Sequence, residues 1–113
     1  MRISVTRRYG FEAAHVLPWH NGKCSRPHGH SYRLEVRVEG PVDERGVVIE
    51  FGDVDAVVNT QILQLLDHTD LNDTISNPTA ENLALWIAER LAPLPWSVIE
   101  LWETARGSVR VER

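Results

Sequence analysis

The two-residue alternation from His28 to Glu39 is the feature of this sequence that most restricts its fold. Aromatic and aliphatic side chains at the even positions from Tyr32 to Val38 alternate with charged side chains at the odd positions. A period of two predicts a β-strand with one buried face and one solvated face. The preceding segment alternates in the same way and predicts a first strand. Its inward positions are Ile3, Val5, Tyr9, Phe11, Ala13 and His15.

The remaining segments predict an α+β fold in a single domain, residues 1–113. Residues 16–27 are rich in proline, glycine and asparagine and predict a loop. Apolar residues recur at helical spacing over 54–66, and again over 83–91 after Thr79, the expected N-cap. Two short strands, Val98–Thr104 and Ser108–Glu112, close the chain. The expected order is ββααββ, with a four-stranded antiparallel sheet and two helices on one face.

The other face of this sheet is unusually charged. Its side chains are Arg33, Glu35, Arg37, Glu39, Arg110 and Glu112. Four strands cannot close a barrel alone, and exposed strand edges favour aggregation unless they are paired. An oligomer that joins sheets edge to edge would pair them.

Composition excludes some classes of function. A net charge of −4 argues against a general binder of nucleic acid or of membrane surfaces, which would carry a basic stripe. The chain has one cysteine and therefore no internal disulfide, which suits a reducing compartment. We expect a cytoplasmic protein, because the first residues lack the apolar run of a secretory signal and no segment has the length of a membrane span.

Three histidines form the strongest candidate site. His28 and His30, two residues apart on one strand, face the same side, and His15 ends the neighbouring strand on its apolar face. Three imidazoles suit zinc and leave a fourth position open, as in catalytic sites. From the spacing alone, His28 and His30 could also be a chance pair or a surface pair that binds no metal. His20, in the loop, is expected to be solvated.

Cys24 is a second candidate, in the polar loop between Lys23 and Arg26. Neighbouring cations favour a thiolate, so Cys24 could act as a base or a nucleophile. It could also be a fourth zinc ligand, which would close the site and indicate a structural zinc module.

Two acidic features complete the set. Asp67 lies beside His68 at the end of the first helix, where a carboxylate can hold an imidazole for proton transfer. The alternative is a histidine that faces the helix dipole. Glu103 shares the inward parity of its strand and could accept hydrogen bonds from an amino-pyrimidinone ring, or pair with an arginine.

Six stretches in order along the chain resemble the family of 6-pyruvoyl-tetrahydropterin synthase and 6-carboxy-5,6,7,8-tetrahydropterin synthase. They are Phe11–His15, Cys24–Tyr32, Gly46–Phe51, Leu66–Asn72, Pro78–Asn82 and Leu101–Thr104. Two positions depart from the family pattern. Glu50 stands where aspartate is usual, and Asp55 stands near a position where lysine is common.

The resemblance implies the tunnelling fold, in which trimers close their sheets into one barrel and stack as a homohexamer with active sites between subunits. It implies His15, His28 and His30 as Zn²⁺ ligands. It implies Cys24, Asp67 and His68 as the proton-transfer residues. Glu103 would hold the pterin ring, with Thr79 and Glu81 beside it.

The implied substrate is a small-molecule pterin triphosphate, 7,8-dihydroneopterin triphosphate. The spacing from Cys24 to His28 is similar to that of the bacterial branch, which forms 6-carboxytetrahydropterin for queuosine and loses acetaldehyde and triphosphate. The alternatives are the 6-pyruvoyl product, formed with loss of triphosphate only, and a relative that binds a pterin without turning it over.

Overall fold

The computed structural model describes all residues from Met1 to Arg113, and its centre is an antiparallel pair of long strands. β1 (Ser4–His15) and β2 (His28–Glu39) pair along their whole length, from Ser4 opposite Glu39 to His15 opposite His28. The predicted inward side chains of β2 from Tyr32 to Val38 are buried. The alternation therefore identified both strands and the buried face of β2. In β1 the predicted inward face is fully buried only at Phe11, Ala13 and His15, and Ile3 lies before the strand with an exposed side chain.

The two strands at the end of the chain extend the sheet on the far side of β2. β4 (Trp96–Thr104) pairs with β2, and β5 (Gly107–Glu112) pairs with β4, both antiparallel. The structure begins these strands at Trp96 and Gly107, slightly earlier than the pattern predicts.

The sheet has one strand more than predicted. β3 (Thr69–Asp70) pairs in parallel with Ala13 and Ala14 of β1, so the sheet is mixed and five-stranded, with the order β3-β1-β2-β4-β5. A strand of two residues is too short to show an alternation. The predicted α+β class is confirmed, and the prediction of four antiparallel strands is corrected by this addition.

Helices cover one face of the sheet. α1 (Phe51–Val58), a π-helical stretch (Asn59–Leu63) and α2 (Gln64–Leu66) follow one another without a break, and α3 (Ala80–Arg90) follows β3. The apolar spacing predicted both helical segments but not the wider π turns. None of these helices combines the length and the apolar character that a membrane crossing requires.

The core lies between the sheet and these helices, and a single cluster fills it. Its fully buried members include Leu34, Val54, Val58, Ile62, Leu66, Leu71, Leu83, Ile87, Leu91, Ile99 and Leu101. The opposite face carries charged side chains as predicted, and some form ion pairs, such as Arg8 with Glu35 at 2.8 Å and Arg110 with Glu100 at 3.1 Å. No helix covers that face.

A polar cluster lies under α1, near the start of β1. Arg7 donates to both carboxylate oxygens of Asp55, at 3.0 and 2.8 Å, and the Tyr9 hydroxyl donates to the same carboxylate at 2.7 Å. These hydrogen bonds hold the pKa of Asp55 below its usual value, and those from Arg7 have the largest effect. Asp55 thus has a cationic partner in this chain.

Candidate metal centre and active site

The three predicted histidines converge at the end of the β1–β2 pair. His15 lies opposite His28, and His30 lies opposite Ala13, so all three side chains are on the helix-facing side. The Nε2 atom of His15 is 2.9 Å from that of His28 and 3.1 Å from that of His30. The ligand atoms of the three rings lie within 4.8 Å of one another.

Backbone carbonyls fix the tautomer of two of these rings. The Nδ1 atom of His15 is 2.8 Å from the Pro78 oxygen, and that of His28 is 2.7 Å from the Arg26 oxygen. A carbonyl oxygen only accepts, so each Nδ1 carries a proton and each neutral ring presents a lone pair on Nε2. Two lone pairs at 2.9 Å repel unless a cation lies among them. The site is therefore compatible with a bound metal ion.

Burial keeps the third ring in the form that binds metals. His15 is almost fully buried and His30 is half-buried. Burial lowers the pKa of His30, which the nearby Glu103 carboxylate opposes and the two other histidines reinforce. A neutral imidazole is the ligand form, so this environment favours coordination near neutral pH.

Glu103 borders the histidines. Its Oε1 atom lies 3.7 Å from the Nε2 atom of His15 and 4.0 Å from that of His30. Its inward direction agrees with the parity of β4, and it forms no ion pair with an arginine, the alternative considered from sequence. A carboxylate so placed can accept hydrogen bonds from a ligand that sits over the three rings.

Cys24 stands apart from this ligand set. It lies in a 3₁₀ turn (Lys23–Ser25), is half-buried, and is not among the side chains whose ligand atoms converge. Its backbone oxygen accepts from the Leu17 amide at 2.9 Å, which ties the loop to the end of β1. The geometry groups three imidazoles without the thiol, and the catalytic role of Cys24 stays a prediction.

Asp67 and His68 form a pair at the edge of the sheet. The His68 Nδ1 atom lies 3.0 Å from Asp67 Oδ1, which also accepts from the Glu12 amide at 2.9 Å. The hydrogen bond from the Glu12 amide lowers the pKa of Asp67, and His68 adds a smaller effect in the same direction. The Asp67 carboxylate is therefore charged near neutral pH. His68 has a φ of 62°, a left-handed conformation that is uncommon outside glycine and that recurs at functional sites.

The structure does not bring this pair to the three histidines of the same chain. His68 lines an open cavity of about 440 Å³ with Glu12, Ala14, Gly29 and Ser31, and His30 borders it as well. By strand parity those four residues face away from the helices, on the other side of the sheet from the imidazole cluster. Within one chain, His68 therefore lies at a cavity lined mostly by the other face of the sheet, and of the three predicted ligands only His30 borders that cavity.

The remaining predicted residues lie at the start of α3. Thr79 is the N-cap, as predicted, and its hydroxyl accepts from the Asn82 amide at 3.1 Å. Glu81 lies in the first turn of the helix. Thr79 directly follows Pro78, whose carbonyl holds His15, so this end of α3 lies beside the histidines.

Sequence reasoning missed two contributions to the site. The carbonyls of Arg26 and Pro78 orient the rings, but a backbone atom leaves no signal in residue type. Tyr32 packs its ring edge-to-face with those of His15 and His30, at 6.4 and 5.6 Å between centroids. The alternation predicts that Tyr32 lies on the same face of the strand as His28 and His30, but it does not predict that the rings are in contact.

Comparisons with known proteins identify relatives of this chain. Residues 4–113 match the sequence family described as 6-pyruvoyl tetrahydropterin synthase. The chain is 37% identical over 116 residues to a 6-carboxy-5,6,7,8-tetrahydropterin synthase of Synechocystis, covering 94% of this chain and 90% of that protein. It is 38% identical over 117 residues to a dihydroneopterin monophosphate aldolase of Pyrococcus furiosus, covering 99% of both.

A solved structure gives the same result for the fold. The 6-pyruvoyl tetrahydropterin synthase of Caenorhabditis elegans superimposes with a TM-score of 0.89 at 23% identity, covering 100% of this chain and 96% of that one. The family match spans almost the whole chain, and two relatives exceed 30% identity along most of their length. The chain therefore belongs to the 6-pyruvoyl tetrahydropterin synthase family.

Proposed function

We propose that this protein is a zinc-dependent lyase that converts 7,8-dihydroneopterin triphosphate and water to 6-carboxy-5,6,7,8-tetrahydropterin, acetaldehyde and triphosphate. The observation that carries the proposal is the convergence of three imidazole Nε2 atoms beside the carboxylate of Glu103. Related chains named 6-carboxytetrahydropterin synthase support the choice of product.

The donor set supports zinc as the ion. Three neutral imidazoles and no other protein ligand leave one coordination position for a substrate. Nitrogen atoms bound tetrahedrally to zinc, at about 2.0–2.1 Å from the metal, lie roughly 3.3 Å apart. The His15–His28 and His15–His30 pairs, at 2.9 and 3.1 Å, need only a small outward movement, and all the ligand atoms lie within 4.8 Å of one another.

The chain's own residues would bind the substrate and move its protons. Glu103 would accept hydrogen bonds from the ring N–H groups of the pterin, and Thr79 and Glu81 would lie beside that ring. A bound zinc ion supplies Lewis acidity toward the hydroxyl oxygens of the side chain. Cys24 and His68 would transfer protons at the side-chain carbons from opposite sides, and Asp67 would hold the His68 ring through its Nδ1 atom.

The position of His68 supports an active site shared between subunits. Because His68 lies at a cavity lined mostly by the opposite face of the sheet, outside the group of three converging imidazoles, it would serve the site of a neighbour. β1 has no partner on its outer side over residues 4–11, before Glu12 meets Asp67 and His68, and β5 is the other edge of the sheet. We propose that these edges join in a homohexamer. Such an assembly would also pair the strand edges that are otherwise exposed and prone to aggregate.

Product analysis tests the reaction. Zinc-loaded protein is incubated with 7,8-dihydroneopterin triphosphate, and mass spectrometry measures acetaldehyde, triphosphate and the pterin product. We expect all three, with 6-carboxytetrahydropterin as the pterin. A 6-pyruvoyl product without acetaldehyde would assign the other branch. No turnover, under conditions in which a 6-carboxytetrahydropterin synthase works, would contradict the enzyme proposal and favour a binding protein.

A second candidate follows from the Pyrococcus relative, because that alignment covers 99% of both chains. An aldolase acting on dihydroneopterin monophosphate would use the same site to polarise a side-chain hydroxyl and break the neighbouring carbon–carbon bond. The substrate pair separates the candidates. Faster turnover of the monophosphate, with release of a phosphorylated two-carbon aldehyde and no acetaldehyde, would assign the aldolase reaction.

A further inference from the structure

Asn72 binds the backbone at the point where β1 ends. It lies in the 3₁₀ turn Leu71–Asp73, and its side-chain amide makes two hydrogen bonds with one residue. The Val16 amide donates to Asn72 Oδ1 at 2.8 Å, and Asn72 Nδ2 donates to the Val16 oxygen at 3.0 Å. Val16 directly follows His15. The Asn72 side chain therefore supplies the hydrogen bonds of a neighbouring strand at the position next to a proposed metal ligand.

This contact continues a longer attachment of residues 67–72 to β1. At one end, Asp67 Oδ1 accepts from the Glu12 amide at 2.9 Å, and the His68 amide donates to the Glu12 oxygen at 2.6 Å. In the middle, β3 pairs with Ala13 and Ala14. Beyond Asp70 the strand turns away, and Asn72 alone continues the pairing on this side of β1.

The turn itself does not require the Asn72 side chain. The Asp70 carboxylate already caps the turn by accepting from the Asn72 backbone amide at 3.0 Å. Both hydrogen bonds of the Asn72 side chain are spent on Val16, at the start of the breaker-rich loop 16–27. The side chain therefore acts on the end of β1 rather than on its own turn.

We infer that Asn72 is a positioning residue for His15. The ring of His15 is held by the Pro78 carbonyl, and its backbone is held by β2 on one side and, through Val16, by Asn72 on the other. Loss of the Asn72 clamp frees the last residues of β1 and widens the range of positions open to the Nε2 atom. Partners that orient metal ligands typically change metal affinity by about 10–100-fold.

The inference rests on the proposed metal centre, and metal affinity tests it without turnover. Zinc affinity is measured by competition with a chelating dye for wild-type protein, Asn72→Ala and Asn72→Asp. Asn72→Asp keeps the acceptor for the Val16 amide but cannot donate to the Val16 oxygen, and it provides a second variant if Asn72→Ala folds poorly. The absorption spectrum of the Co²⁺-loaded protein reports the ligand geometry in the same samples.

Asp43→Ala is the matched control. Asp43 Oδ1 also accepts from two backbone amides, those of Arg45 and Val47 at 2.8 and 3.2 Å, but in a turn beyond the other end of β2. We expect roughly tenfold weaker zinc binding and an altered Co²⁺ spectrum in both Asn72 variants, and wild-type values in Asp43→Ala at comparable loss of thermal stability.

Two results would overturn the role of Asn72. One is zinc affinity within twofold of wild type in both folded Asn72 variants. The other is an equal loss in Asp43→Ala, which would make weaker binding a consequence of lower stability. Absence of zinc binding by the wild-type protein would instead contradict the metal centre itself, so the two failures are distinguishable.

Discussion

β1 carries a polar cluster near each end of its helix-facing side, and the two clusters differ in how their groups match. Near the start, Arg7 and Tyr9 meet the carboxylate of Asp55. At the far end, His15 meets two further histidines, with Glu103 beside them.

The first cluster satisfies itself. A guanidinium and a hydroxyl supply three donor contacts to one carboxylate, which accepts them at 2.7–3.0 Å. The second cluster does not, because the Nε2 atoms of His15 and His28, both acceptors, face each other at 2.9 Å. Complementary groups such as Arg7 and Asp55 need no ligand and stabilise the fold, whereas converging lone pairs call for a cation that the chain does not supply. This difference in hydrogen-bond matching distinguishes a structural cluster from a candidate metal site.

Removal of a histidine should cause the largest loss of metal binding. In His28→Ala, zinc affinity should fall by more than about 100-fold, beyond the range for groups that only orient ligands. The half-exposed position of His28 keeps the cost to folding small. Metal content after dialysis and turnover check the result. Asp55→Asn, at the other cluster, should retain its metal, and retained zinc in His28→Ala would contradict the three-histidine site.

Substitution of the thiol should separate chemistry from metal binding. Cys24→Ala should keep zinc and lose roughly 10²–10⁴-fold in turnover, the range of a positioned acid or base. Metal analysis and rate measurements on one preparation show whether the variant has lost zinc, turnover or both. If the variant loses its zinc, Cys24 is a ligand and the site is closed rather than catalytic.

The parts of this site that follow residue type and period were predictable from the sequence. Alternation placed His15, His28 and His30 on one face of adjacent strands, and the same rule turned Glu103 inward. Burial of one strand face enforces such a pattern, since a slip of one residue would expose the whole apolar set.

Other parts depend on contacts that no local pattern encodes. β3 is only two residues long, and its pairing with β1 depends on where the chain returns after α2. The place of His68 at the cavity beside Glu12 and Ala14 depends on that return, and its backbone there is left-handed. The cationic partner of Asp55 was equally hidden, because Arg7 lies 48 positions away in the sequence.

The Asp55 cluster should give a pH-dependent contribution to stability. Its folded pKa is lowered by Arg7 and then Tyr9, so the contribution is present above the unfolded value of about 3.9 and is lost as pH falls through the folded pKa. Asp55→Asn should therefore lower the urea midpoint at pH 7 and have little effect near pH 2. Chemical unfolding at both values measures this, and an equal effect at both would show that the charge of Asp55 is not involved.

The smallest expected effects come from two tyrosine hydroxyls, one in each region. The Tyr9 hydroxyl donates to Asp55 at 2.7 Å, whereas the buried Tyr32 hydroxyl, beside the histidines, has no partner in the protein. Tyr9→Phe should lower the free energy of unfolding by about 0.5–1 kcal/mol, because a partly exposed hydrogen bond is lost. Tyr32→Phe should leave stability unchanged or raise it, because an unpaired buried polar group costs free energy. Urea denaturation of both variants gives the sign. Destabilisation by Tyr32→Phe equal to that of Tyr9→Phe would mean that the Tyr32 hydroxyl has a partner such as a buried water, and that the histidine end is better satisfied than its protein contacts indicate.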